Sequence, residues 1–185
     1  MSMSGISPKD VIAFWRQAGP KRWFAKIPAF DEEILRRFEA LHHAAARREL
    51  HDWGETAEGS LALALLLDQV PRNIYRGSAH AFATDPLARA LSRSAVERGF
   101  DKQIPSSLRT FFYLPFSHSE RLADQDFGLP LWNALGSETG EEQKWAFVHR
   151  DIIVRFDRFP HRNPALGRAT TPEEQAFLDE GGFAG

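Results

Sequence analysis

Two short strings hold most of the side chains in this chain that could do chemistry: DQVPRNIYR at 68–76 and DRFPHRN at 157–163. In each, an aspartate precedes proline, arginine and asparagine, and the second differs by one inserted residue, His161. Arginine is planar and permanently charged, and it grips carboxylate or phosphate through two parallel hydrogen bonds. Arg72, Asn73, Arg76, Arg109, His161, Arg162 and Asn163 are therefore the candidates for holding a small anionic molecule. His118 and His149 are the candidates for moving protons, against Asp68 or Glu120 as carboxylate partners. Gln69, Gln125 and Arg155 complete the polar set. Such a site works only if the two strings converge on one cavity, and the residues leave open whether any activity there is enzymatic.

The same residues have structural work open to them. A carboxylate near a helix C-terminus opposes the macrodipole, so Asp68 and Asp157 each need a compensating cation, and Arg72, Arg76, Arg158 and Arg162 stand nearby. Ser117-His118-Ser119-Glu120 has the spacing of a capping box, which gives Glu120 a local role. His149 falls within an apolar stripe, where a core histidine needs a hydrogen-bond partner. On this second reading the protein is an interaction scaffold that takes a protein segment on a concave helical face. An open groove lined by Trp, Phe and Arg favours that scaffold, whereas a closed pocket lined by His, Asp and Arg favours a small molecule. A metal site from His118, Glu120, His149 and His161 matches no established ligand spacing, so neither a metal nor a cofactor is expected. No HExxH, GxGxxG, P-loop or GxSxG string is present, which removes the entry evidence for metalloprotease, dinucleotide, nucleotide and hydrolase-elbow chemistry.

The elements that must position these residues read as helices throughout. Ser7-Pro8 opens a helix through Val11, Phe14 and Trp15 that closes at Gly19-Pro20. KRWFAKIPAF then reads as a loop that tucks in Trp23 and Phe24, Asp31 caps a helix through Ile34, Phe38 and Leu41, and His42 and His43 read as surface or boundary residues. Thr56 caps a third helix whose 61–67 run, LALALLL, is apolar all round and hence central. Asp85-Pro86 starts a helix to Gly99. Pro105 opens one that ends before Pro115, and Ser117 launches another that Pro130 restarts. Glu141 begins the helix on which the rest packs, and Thr171 with Glu174 forms a capping box for the last. At about 100° per residue, Trp145, Val148, Ile152, Phe156 and Phe159 make one stripe, with Ile153 at its border. Phe147 and Val154 lie opposite, which predicts a helix sandwiched between neighbours and halted at Pro160. No stretch alternates as a strand, so the expected fold is all-α, with about seven to nine helices in antiparallel neighbours.

Composition suits one compact domain spanning 1–185, since 43% of the residues are apolar. A net charge of −2 gives no reason to expect nucleic acid or an anionic membrane as partner. Cysteine is absent, which removes disulfides, thiol catalysis and thiolate zinc sites and suits the cytoplasm. The N-terminus lacks the layout of a signal peptide, and the longest apolar run is too short to span a bilayer, so a soluble protein is expected.

Several separate strings together carry a resemblance: LALALLLDQVPRNIYRG, AFATDPLAR, GFDKQIP, RTFFYLPFSHSE, and HRDIIVRFDRFPHRNPALGR followed by TPEEQAFL. They resemble a bacterial family known as Domain of Unknown Function family 924, over nearly the whole chain. The resemblance implies a tetratricopeptide-like stack of helical hairpins and lends no catalytic residues. It also implies glycine at the position of Asp157 and phenylalanine at that of Val70. The first departure loosens the parallel between Asp157 and Asp68 and leaves Asp68 the better candidate for a functional carboxylate.

Overall fold

The computed structural model describes residues 5–139 and 144–184, which are helical with no strand among them. The all-α class follows. By their contacts the residues divide into two compact units, Met1–Arg76 with His80–Pro115, and Gly77–Ala79 with Phe116–Gly185.

The first unit is centred on α4 (Ala57–Ala64) and the π-helical turn Leu65–Gln69 that extends it, where 61–70 are all buried. The Thr56 hydroxyl caps α4 by accepting from the Gly59 N–H at 3.0 Å. Only glycine fits at position 59, because a Cβ there would lie 1.9 Å from the Trp53 carbonyl oxygen. Around this axis pack α1 (Pro8–Ala18), α3 (Pro28–Ala46), α5 (Val70–Ile74) and α6 (Asp85–Glu97), with α1 and α6 against α4 and α3 against α5. Ser7-Pro8 opens α1 as expected, with Asp10 closing a capping box, and Val11, Ile12, Phe14 and Trp15 form its buried face.

Several sequence expectations need correction here. Pro20–Trp23 is a short helix, α2, rather than loop; Trp23 is buried and donates to the Trp15 carbonyl, whereas Phe24 stays exposed. The next helix begins at Pro28, where a missing N–H costs nothing, and not at a cap by Asp31, whose carboxylate is taken by Asn73 and Arg76. Asp85 is the first residue of α6 and not its cap. The seventh helix, α7 (Ser106–Ser117), runs through Pro115 rather than stopping before it. Only its final turn lies beyond the proline, so one backbone bond is forgone while Phe111, Phe112 and Phe116 are buried.

The second unit holds α8 (Leu122–Thr139), α9 (Lys144–Phe156), the turn Pro160–Arg162 and α10 (Pro172–Asp179), with α8 packed on α9 and α10 on the turn. Pro130 lies inside α8 and restarts nothing. Ile152, Ile153 and Phe159 make its core, flanked by Val148, Phe156, Phe177 and Phe183. The expected start of α9 at Glu141 lies outside the described residues. The expectation that α9 is sandwiched is wrong: its buried side is Ala146, His149, Ile152 and Ile153, while Trp145, Phe147 and Val154 are 58%, 44% and 55% exposed. The Trp145–Phe156 stripe instead forms a wall of an open groove of about 690 Å³, closed on the other side by Phe177 and 181–184.

Candidate functional site

The first cluster of predicted residues surrounds the π-turn. Val70 N–H donates to the Leu65 carbonyl, five residues back, so the next donor in that series would be Pro71, which has none. The carbonyls it strands find partners elsewhere: His42 Nδ1–H donates to Leu66 O at 2.8 Å and Thr84 Oγ1 to Leu67 O at 2.5 Å. His42 is thus a buried backbone partner and not the surface residue expected. Burial pushes its pKa down, against the opposing pull of that carbonyl.

Asp68, 1% exposed, accepts from Gln69 Nε2 at 2.6 Å and pairs with Arg72 Nη1 at 3.1 Å. Arg72 also grips Asp85 with two bonds of 2.8 and 3.0 Å and donates to the Asp68 carbonyl. Burial works against the charged guanidinium, but Asp68 and Asp85 outweigh it and raise its pKa. Asn73 and Arg76 share the Asp31 carboxylate, at 2.7 Å each. Arg109 donates to the carbonyls of Asp101 and Ile104, whose loop is also held by Tyr113 Oη on the Asp101 carboxylate. The first-unit candidates therefore form a lattice in which acid and base already meet. Asp85 and Asp31 complete it and were not among the expected site residues, because their partners lie 13 and 42 to 45 residues away.

The second cluster lies wholly in the second unit and brings together His118, Glu120, His149, His161, Arg162 and Asn163. The His149 ring is 6.3 Å from that of His118, 5.5 Å from Phe159 and 4.6 Å from Phe183, and Phe183 is 5.1 Å from His161. The Arg162 guanidinium lies over Phe159 at 4.5 Å. His149 is 7% exposed and hydrogen-bonded to the Ser117 backbone, and its Nδ1 has no hydrogen-bond partner. Burial, reinforced by His118, Arg162 and His161, lowers its pKa to about 3, so the ring is neutral at ordinary pH.

Glu120 supports this cluster from behind. It does not close the capping box expected of it; α8 starts at Leu122, and Ser119 Oγ accepts from the Arg121 N–H while donating to Asp124. The Glu120 carboxylate takes both Nη atoms of Arg168 at 2.8 and 2.9 Å and the Phe159 N–H at 2.9 Å. Burial alone would raise its pKa, but Arg168, the Phe159 amide and Arg162 hold it below the usual carboxylate range. Asn163 is fully buried, donating to Glu174 and Thr170 and accepting from Arg168. Gln125 donates to the carbonyls of Ser117 and Ser119, and Arg155 reaches Glu173 at the groove. Arg168, Glu174 and Phe183 also belong to the site, although the spacing of Thr171 and Glu174 predicts only a cap and nothing local marks the other two.

Among the described residues, no group of His, Cys, Asp and Glu is arranged to hold a metal ion, and no helix is long and apolar enough to cross a membrane. A search of the curated proteins finds no match. Among solved structures, a protein of unknown function from Agrobacterium tumefaciens is similar at 51% identity, with a TM-score of 0.88 over 94% of this chain and 97% of that one. The family model for bacterial proteins of unknown function (DUF924) matches residues 11–182. With strings, fold and nearly the whole length in agreement, this chain belongs to the DUF924 family.

Proposed function

We propose that the second unit binds a small anionic molecule at the cluster of His118, His149, His161 and Arg162, with Glu120 and Asn163 holding the turn that carries the last two. One observation carries the reading: His149 has a buried ring nitrogen with no hydrogen-bond partner, beside two further imidazoles and a guanidinium. An unanswered buried polar atom costs about 1–3 kcal/mol and stands out against the mutually satisfied lattice around Arg72. The positive field that His118, Arg162 and His161 set at the ring suits an anion. With a pKa near 3, His149 is a poor proton acceptor and a good neutral hydrogen-bond partner, so it orients a ligand rather than deprotonating one. Arg72, Asn73, Arg76 and Arg109 are assigned to holding the first unit together.

Titration with small carboxylates and inorganic phosphate, followed by ¹⁵N NMR of the histidine side chains, tests this. Saturable shifts of His118, His149 and His161 with one dissociation constant are expected, weakened about tenfold in His161→Ala with helical content unchanged. Shifts absent at every anion concentration would remove the proposal. A second reading, the docking of an apolar protein segment, is favoured by the groove, which is open and lined by Trp145, Phe156, Phe177 and Arg155 as that reading requires, and by the exposure of Trp145, Phe147 and Val154 on α9. Selection from a displayed peptide library would then yield binders that Trp145→Ala abolishes while leaving the histidine shifts intact.

A further inference from the structure

The His149 hydrogen bond to Ser117 fixes more than the ring's orientation. The Ser117 partner is a backbone carbonyl, since the bond favours the protonated ring, and a carbonyl can only accept. Nδ1 has no partner, so the nitrogen that donates is Nε2. A neutral imidazole carries one proton; with it committed at Nε2, Nδ1 is a bare lone pair. The same carbonyl accepts from Gln125 Nε2 at 2.8 Å, which holds it in place on a second side. The buried atom is therefore an acceptor in want of a donor. The nearest ring, Phe183, covers part of the imidazole and supplies no such donor. Phe183 is brought there by a turn at Gly181, at φ 83°, and by Gly182, where a Cβ would lie 2.5 Å from both the ring and the carbonyl of Phe177.

Building on the anion site proposed above, we infer that the second unit selects oxyanions that carry their own hydroxyl proton, which is donated to the lone pair of His149 Nδ1. The charged oxygens of such a ligand lie in the positive field of His118, His161 and Arg162, while its hydroxyl turns to Nδ1. An oxyanion of equal size without that proton would set lone pair against lone pair and leave Nδ1 unanswered. Polar sites discriminate most strongly by such mismatches.

Two matched pairs of ligands read the difference, used on the full chain near neutral pH at constant ionic strength. Phosphate carries a hydroxyl where sulfate does not, and glycolate carries one where acetate does not. Calorimetry is expected to give at least about tenfold tighter binding for the hydroxylated member of one pair, and the pair that shows it identifies the acid class. Equal binding of both members in each pair overturns the inference and leaves the anion site standing. Binding of none overturns both. His149→Phe should bring the two members of the pair to within about twofold. Because that variant removes a buried polar ring and could unfold, the ¹⁵N tautomer signature of His149 in the unaltered protein is a separate check. A proton found on Nδ1 overturns the inference whatever the affinities.

Discussion

At the first proline turn the helix carries on, passing through a π-turn into Val70–Ile74, whereas at the second it ends at Phe156 and the chain crosses Asp157 at φ 56° before Pro160. The letters are nearly the same and the aspartates fare oppositely. Asp68 is buried and ion-paired, while Asp157 is exposed in the left-handed region. What differs is who serves the carbonyls that proline cannot. In the first turn His42 and Thr84 reach in from other elements, so the helix survives. In the second, Glu120 and Glu174 bind the turn through Arg168 and Arg158 after the helix has ended, and Arg168 donates to the Phe159 carbonyl. A proline motif therefore specifies an unmet hydrogen-bonding need rather than a stop, and the surroundings decide the outcome.

The largest effect is expected where charge is most deeply shared. Arg72→Ala strips two buried carboxylates of their common cation and should cost about 3–5 kcal/mol in urea unfolding. A loss under about 1 kcal/mol would show that the first turn is not held by its ion pairs.

Acid should act through the second turn. Unfolded His149 takes up a proton near pH 6.5 and the folded residue only near 3, so stability falls as pH drops through that interval. Glu174, whose pKa is lowered to about 2 chiefly by Arg158, adds a loss between its ordinary value of 4.5 and about 2. The melting temperature measured against pH should fall over both windows, and His149→Phe should flatten the upper one. An unchanged upper slope would mean that His149 is not buried and neutral.

A smaller effect separates the two ways of serving a carbonyl. His42→Leu leaves Leu66 O without its donor and should cost about 1–3 kcal/mol by thermal unfolding. Smallest and opposite in sign is Asp157→Gly, which relieves a left-handed side-chain residue and should stabilise the chain by about 1 kcal/mol.

What could be read from the letters was what one turn of chain decides for itself. Ser7 before Pro8, Thr56, and Thr171 with Glu174 mark helix starts within three or four residues, and all three starts are found where the letters placed them. The all-apolar run around Leu61 also sits in the interior as expected. The rest depended on distant chain. Glu120 looked like a cap because its partners, 39 and 48 residues on, carry no local mark. Helix α9 looked sandwiched because two apolar stripes were visible, and periodicity cannot tell a buried stripe from a groove wall. Phe183 carried no polar signal, although it packs closely on His149.

The carboxylate of Glu174 accepts at once from its own cap residue Thr171, from Arg158 just after α9, and from the buried Asn163. That clasp ties α10 to the second proline turn as one lever, and Phe177 and Phe183 ride on its far arm. Opening of that clasp is expected to disturb the aromatic cover of the histidines, and amide protons from 157–163 and 171–179 should exchange with solvent in concert.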